Sequence, residues 1–145
     1  MREIKFRGMG ITYGEWHYGY VSVVTEPRRT VEAGTYISNS AGAPFAFQVR
    51  PETIGEYTGL RDKNGVEIYE GDIVRVVVMA TSAIEPYTAV IEWRGAGWEA
   101  RDISKPDTSF VVGLPIIFDP LTSITTDIEV IGDIYATPEL LAVVE

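Results

Sequence analysis

The chain has 145 residues, 46% of them apolar and 11% aromatic, with 14 glycines, 8 prolines, no cysteine and a net charge of −9. That length bounds it to one domain, or to one domain with a small appendage. The absence of cysteine excludes disulfides and thiol chemistry, and the acidic balance opposes binding to a phosphate backbone.

The charge is unevenly spread. Residues 1–50 hold six Lys/Arg and four Asp/Glu, a net of +2, whereas residues 51–145 hold six and seventeen, a net of −11. These carboxylates either keep a small β-protein soluble or form an acidic face for a basic partner. The opening MREIKFRGMG lacks the apolar core of a signal peptide, and no run reaches the roughly 18 apolar residues of a membrane span. We expect a soluble cytoplasmic protein with no membrane partner.

In chain order, EIKFR alternates, with Ile4 and Phe6 on one face and Glu3, Lys5 and Arg7 on the other, as in a half-buried strand. EWHYGYVSVV places Trp16, Tyr18 and Tyr20 on one face. Its apolar set shifts to Val21 and Val23 after Gly19, which predicts a bulge or bend there. Residues 25–44 are irregular, with short strands expected around Thr30–Glu32 and Tyr36–Ser38. FAFQV alternates again through Phe45, Phe47 and Val49 and ends at Pro51.

The segment from Glu52 to Leu60 reads as extended, and RDKNGVEI reads as a turn. DIVRVVVMA is apolar on both faces, with Val74, Val76 and Val78 opposite Ile73, Val77 and Met79. Two apolar faces predict a central strand, with Arg75 near a rim. YTAVIEW, the turn RGAG and WEARDI read as a hairpin. SFVVGLPIIF is a further β-like stretch, and DPLTSITTD is a loop or a single helical turn. IEVIGDIY alternates, with Ile128, Val130 and Ile134 inward. In TPELLAVVE, Thr137 is placed to cap, Pro138 suits the first helical position and Glu139 suits the dipole, so a helix of about two turns is expected. Short strands separated by turn signals close most naturally as a barrel or a strongly bent sheet.

The segment ETIGEYTGLRDKNGVEIYEGDIV, residues 52–74, concentrates glycine and carboxylate. Its hard oxygen ligands raise the idea of a calcium loop. Counted from Asp62, however, Gly65 falls at position 4 rather than 6, and position 12 is Ile73 rather than Glu. The turn reading fits better. Asp62 can accept from the backbone ahead of it, Asn64-Gly65 is the pair most tolerant of positive φ, and Gly71-Asp72 repeats this logic at the mouth of a strand. Asn64, Gly65, Gly71 and Asp72 are therefore expected to act as structural turn residues.

The stretch GEYTGLRDKNGVEIYEGDIV resembles the signature of the YopX family of phage and prophage proteins. That signature runs Gln-Tyr-Thr-Gly-Leu, Asp-Lys-Asn-Gly, Ile-Tyr-Glu-Gly-Asp-Ile-Val. The opening MREIKFRGM and the close IEVIGDIYATPELL are similar to the family's ends. Glu56 stands where Gln is usual and Asp133 where Asn is usual, and residues 20–50 and 80–125 are left uncovered. The resemblance implies a mainly β fold with an SH3-like barrel core. It carries no catalytic residues and no established activity.

The chemistry in the residues is sparse. The lone His17 sits opposite Trp16, Tyr18 and Tyr20 on a regular strand and marks no triad. One histidine and no cysteine leave no zinc site, and no P-loop pattern occurs. Carboxylate pairs are too plentiful to flag a hydrolase. Aromatics and the weak basic cluster Arg2, Lys5, Arg7, Arg28 and Arg29 keep nucleic-acid binding open against the net charge.

We expect a mainly β chain, 1–145, forming a single YopX-like domain. It would comprise N-terminal strands and an irregular region over 1–50, an SH3-like small barrel core over 51–145, and a short C-terminal helix. The expected function is non-enzymatic protein interaction with a host or phage partner, without a cofactor or metal and with self-association possible. The alternatives are a nucleic-acid-associated small barrel or a DNA mimic, with a carboxylate hydrolase behind them. The candidate interaction surface is Tyr57, Asp62, Asn64, Tyr69, Asp72, Trp93 and Trp98. The candidate structural turns are Gly59, Gly65, Gly71, Gly95 and Gly97.

Overall fold

The computed structural model describes residues 3–39, 46–78, 85–94, 97–103, 111–113 and 126–142. Alternating short β-runs punctuated by glycine give a mainly β chain. Its strands are β1 Phe6–Met9, β2 Trp16–Val24, β3 Gly34–Ser38, β4 Ala46–Val49, β5 Gly55–Arg61, β6 Glu67–Tyr69, β7 Asp72–Val78, β8 Tyr87–Arg94, β9 Gly97–Asp102, β10 Val111–Gly113 and β11 Thr126–Asp133. They form two sheets, ordered β4-β3-β2-β1-β5-β6 and β10-β9-β8-β7-β11. The chain divides into two compact units, Met1–Tyr57 and Thr58–Glu145, and passes from one to the other within β5.

In the first unit, β1 pairs with β2, β2 with β3 and β3 with β4, all antiparallel. The outer edge of β4 is not bare. Ile11 N donates to Gln48 O (3.2 Å), Arg50 N donates to Met9 O (2.8 Å), and Gly10 bridges Val49. One sheet face carries the buried Ile37 and Val49. Gly8 lies on that face because a Cβ there would come within 2.9 Å of both Val49 and Ile54. Buried Thr53 ties the following 3₁₀ turn, Pro51–Thr53, to β1: its Oγ1 accepts from Met9 N (2.8 Å) and donates to Arg50 O (2.7 Å).

β2 changes partner at Gly19, the position of the expected bulge or bend: its ladder with β1 ends at Phe6↔Gly19 and its ladder with β3 begins at Tyr20↔Ser38. Close approach of the neighbouring strand also requires the glycine. The Ser38 carbonyl oxygen occupies the space a Cβ would take. Of the two short strands expected beyond β2, the second is β3, and the first is only an isolated Arg28↔Val31 bridge.

In the second unit, β7 runs between β8 and β11, as its two apolar faces predict. Ile73, Val74 and Val76 are fully buried, while Arg75 is exposed. The core joins Ile68, Val74, Val76, Tyr87, Ala89, Ile91, Trp98, Ala100 and Ile128. β8 and β9 form the expected hairpin, with Trp93 opposite Trp98. In β11 the register slips between Val130 and Gly132, which leaves Ile131 exposed on a bulge.

Two expectations differ from the structure. Among the described residues both sheets are open and no closed barrel is formed. Alternation specifies a sheet with two different faces, but it does not specify that the end strands meet. The expected C-terminal helix is also absent as an α-helix; residues Pro138–Ala142 wind as a 3₁₀ helix instead. Thr137 faces backwards, its Oγ1 accepting from Asp133 N (2.8 Å) and donating to Asp133 O (2.9 Å), while Leu140 N closes a three-residue bond to Thr137 O (3.1 Å). So short a segment gains little from the α ladder, so local bonds decide its form. Of the β-like stretch over 109–118, Val111–Gly113 form β10, and of the loop or turn expected over 119–127, residues 126–127 open β11; the rest of both, and Phe45, lie outside the described residues.

Candidate interaction surfaces

Asp62 and Asp72 of the central segment are turned inward and act as backbone acceptors. Asp62 is 7% exposed. Its Oδ1 accepts from Asn64 N (2.8 Å) and Val66 N (2.9 Å), and its Oδ2 accepts from Val130 N (2.9 Å) on β11. The same turn is closed by Gly65 N donating to Asp62 O (3.0 Å), with Gly65 at φ +82°. Lys63 N donates to Ile128 O (3.0 Å), so one backbone–backbone bond and the Asp62 side chain dock the turn on β11. Asn64, exposed, reaches Glu129 through its amide (3.2 Å).

Asp72, 2% exposed, accepts from Tyr69 N (2.8 Å) and tightens the corner between β6 and β7. Gly71, at φ +90°, links this corner to two strands: its N donates to Ile91 O (2.9 Å) and its O accepts from Ile134 N (3.0 Å). Asp133 repeats the device at the end of β11, where its Oδ1 accepts from Tyr135 N (2.9 Å) and Ala136 N (2.7 Å). Among the described residues no group of three or more His, Cys, Asp or Glu is arranged to hold a metal ion.

Of the seven candidate surface residues, Tyr57, Asp62, Tyr69, Asp72 and Trp98 are buried, and only Asn64 and Trp93 present much surface. The five therefore do not form a face. Tyr69 directs its hydroxyl to Glu67 (3.0 Å), and Tyr57 lies under the Lys5 ammonium at 5.2 Å. Trp93, 49% exposed, meets Trp98 edge-on with ring centroids 5.0 Å apart. The Trp98 indole Nε1–H is buried without a partner among the described residues. Beside the pair, Arg101 binds Glu92 through Nε (2.8 Å) and the guanidinium tip (2.7 Å), offsetting the repulsion between Glu92 and the facing Glu99.

The candidate turn glycines also separate. Gly65 and Gly71 sit in turns. Gly59 lies within β5 at φ +86°, and Gly97 opens β9. Gly95 lies outside the described residues.

In the first unit a different set of aromatics shares one sheet face. Trp16, Tyr18 and Tyr20 stand at two-residue spacing on one face of β2, and Tyr36 on β3 shares that face opposite Ser22. Tyr18 is 44% exposed and Tyr20 59%. Tyr36 is half-buried, its hydroxyl donating to Glu32 O (2.8 Å). The Arg7 guanidinium lies 4.3 Å from the Trp16 ring centre. The alternation of EWHYGYVSVV placed these aromatics together but could not show which side of the sheet stays open to water.

The sequence profile of the family described as YopX protein matches residues 5–142. The chain belongs to the YopX family. No curated protein matches it. Among solved structures, it is similar to the crystal structure of protein EF1440 from Enterococcus faecalis. That match has a TM-score of 0.50 and 21% sequence identity, and it covers 97% of this chain and 99% of that one. At that identity the likeness speaks for the fold alone. The YopX match spans both units, so the segments left uncovered by the short signature also fall inside the family's extent.

Proposed function

We propose that this YopX protein is a non-enzymatic protein-interaction module of phage or prophage origin, acting in the host cytoplasm without a cofactor. Its contact surface would be the aromatic face of β2 and β3. The observation that carries this reading is the exposure of Tyr18 and Tyr20, side by side with Trp16 and Tyr36 on one sheet face. Tyrosine and tryptophan are the side chains that dominate interface centres, because they bury large area at a low entropy cost. The use of Asp62, Asp72 and Asp133 as backbone acceptors speaks against a carboxylate hydrolase, since these groups are already committed. It also weakens a DNA mimic, whose carboxylates must face solvent.

A second reading has its own support. Aromatics at two-residue spacing beside an arginine are the parts of a single-strand stacking platform, and Arg7 lies against Trp16, although it is only 5% exposed. Net charge opposes it.

The test is affinity capture from host lysate with the tagged chain and its Tyr18→Ala/Tyr20→Ala variant, each with and without nuclease. A discrete protein retained after nuclease and lost with the variant supports the reading. Recovery that depends on nucleic acid moves the same face to the second reading, and capture unaffected by the double substitution removes this face from the account.

A further inference from the structure

The loop between β1 and β2 borders a cleft that neither the family signature nor the aromatic face uses. Its walls are Tyr13 and Glu15 from the loop and Phe47 and Gln48 from β4, with His17 between them, and its volume is about 280 Å³. The walls are held in place by backbone bonds: Gly10 N donates to Glu15 O (2.9 Å), Gly14 N to Gly10 O (3.2 Å) and Ile11 N to Gln48 O (3.2 Å). Small-molecule sites run to roughly 300–1,000 Å³, so this space suits one side chain rather than a cofactor.

The chemistry of the walls is one-sided. Among the described residues, Glu15 is the only Asp, Glu, Lys or Arg lining the cleft. Its Oε1 lies 3.2 Å from His17 Nε2, and its side chain is 48% exposed, so further acceptor positions on the carboxylate stay within reach. The His17 ring stacks on Phe47 with centroids 4.0 Å apart and planes 8° off parallel, which fixes the imidazole. Tyr13, 84% exposed, offers a π surface at the entrance. Gly10 keeps the floor low, because a Cβ there would come 3.1 Å from His17 Nε2 and 3.5 Å from Glu15 Oε1.

A half-exposed carboxylate beside aromatic rings, with no Lys or Arg among the described lining residues and with only one of its oxygens held by His17, suits a flat organic cation. A guanidinium both forks onto a carboxylate and stacks on a ring, whereas an ammonium does only part of this. We propose that this cleft is a binding site for a single arginine side chain presented by a partner protein. The inference deepens the interaction reading by naming what a partner inserts. It uses residues other than Tyr18 and Tyr20, so the two can fail separately.

The test titrates the full-length, isotope-labelled chain with N-acetyl-arginine methylamide, following backbone amides by NMR. The controls are the neutral citrulline analogue and the lysine analogue. The expected result is saturable shifts at Tyr13, Glu15, His17 and Gln48. Binding should weaken about fivefold or more with citrulline or in Glu15→Gln, and also weaken in Tyr13→Ala, whose exposed side chain can be removed without unfolding the chain. The amide spectrum of each variant reports whether it is folded. Absence of saturable shifts, equal binding of citrulline or of the lysine analogue, or no change in Glu15→Gln would overturn the proposal. Loss of arginine binding with protein capture intact would leave the aromatic-face reading standing.

Discussion

Asp62 holds three backbone N–H groups with one carboxylate, two in its own turn and one sixty-eight residues away on β11. Removing it leaves three part-buried N–H groups without this acceptor, and an unsatisfied buried donor costs about 1–3 kcal/mol while those of exposed Asn64 and Val66 can turn to water. Asp62→Ala is therefore expected to destabilise by about 1–3 kcal/mol in chemical denaturation, with Asp62→Asn in between, since one amide oxygen can serve only part of the set. Gly71→Val probes the backbone instead. A Cβ there would meet Tyr135 and Ile134 only at ordinary contact distances, so the cost comes from φ +90°. About 1–3 kcal/mol is expected, a fall in Tm of several degrees. Unchanged Tm with lost partner capture would show that the motif serves binding rather than folding. Asp133 accepts two backbone bonds through one oxygen. An Asn oxygen can do the same, so Asp133→Asn is expected to leave this turn intact. The turn chemistry of these residues was legible from spacing alone. The long-range bond from Asp62 to Val130 was not, because nothing local marks its partner.

At the scale of elements, β7 shows what alternation conveys well. Two apolar faces read as a central strand, and it lies between β8 and β11. The β8–β9 hairpin was equally plain from its turn. β2 shows the limit. Its periodicity placed Trp16, Tyr18 and Tyr20 together, but covering one side of a sheet is decided by chain that lies elsewhere in sequence. The close approach that requires glycine at position 19 was hidden for a similar reason, since it comes from the Ser38 carbonyl on the neighbouring strand. The exposure of Tyr18 and Tyr20 has a direct consequence. Tyr18→Ala/Tyr20→Ala should leave Tm within a few degrees of the parent, because surface substitutions cost little. Gly19→Ala in the same strand should unfold the ladder or lower Tm far more, as backbone rather than a side-chain end must move. Differential scanning calorimetry of both variants checks the contrast.

Over the whole molecule, charge is divided along with structure. Residues 1–57 hold equal numbers of Lys/Arg and Asp/Glu, while residues 58–145 carry the entire net charge of −9. Part of that excess is buried in turns, so composition overstates the acidic surface. One buried group adds a pH dependence. Burial, and secondly the nearby Asp102, hold the Tyr87 phenol above its ordinary value of 10.0. The native state thus keeps a proton that the unfolded state loses. Its contribution is complete below about pH 10 and is lost as pH rises through the folded value. Urea midpoints should fall on the alkaline side of pH 10, and less steeply in Tyr87→Phe. An equal slope in both proteins would assign the alkaline loss to other groups. Sheet order, and whether strands close a barrel, were not readable from the sequence, because pairing between distant strands leaves no local signal.

The aromatic face of β2 and β3 is the protein-binding surface we propose. The measurement that tests it most directly is quantitative mass spectrometry of nuclease-treated captures from host lysate, comparing the parent chain with Tyr18→Ala/Tyr20→Ala at matched folding. We expect a discrete protein that survives nuclease with the parent and falls at least about tenfold with the variant, the effect of losing interface aromatics worth about 1.4 kcal/mol or more. Equal recovery with both proteins, or recovery that vanishes with nuclease, would contradict it.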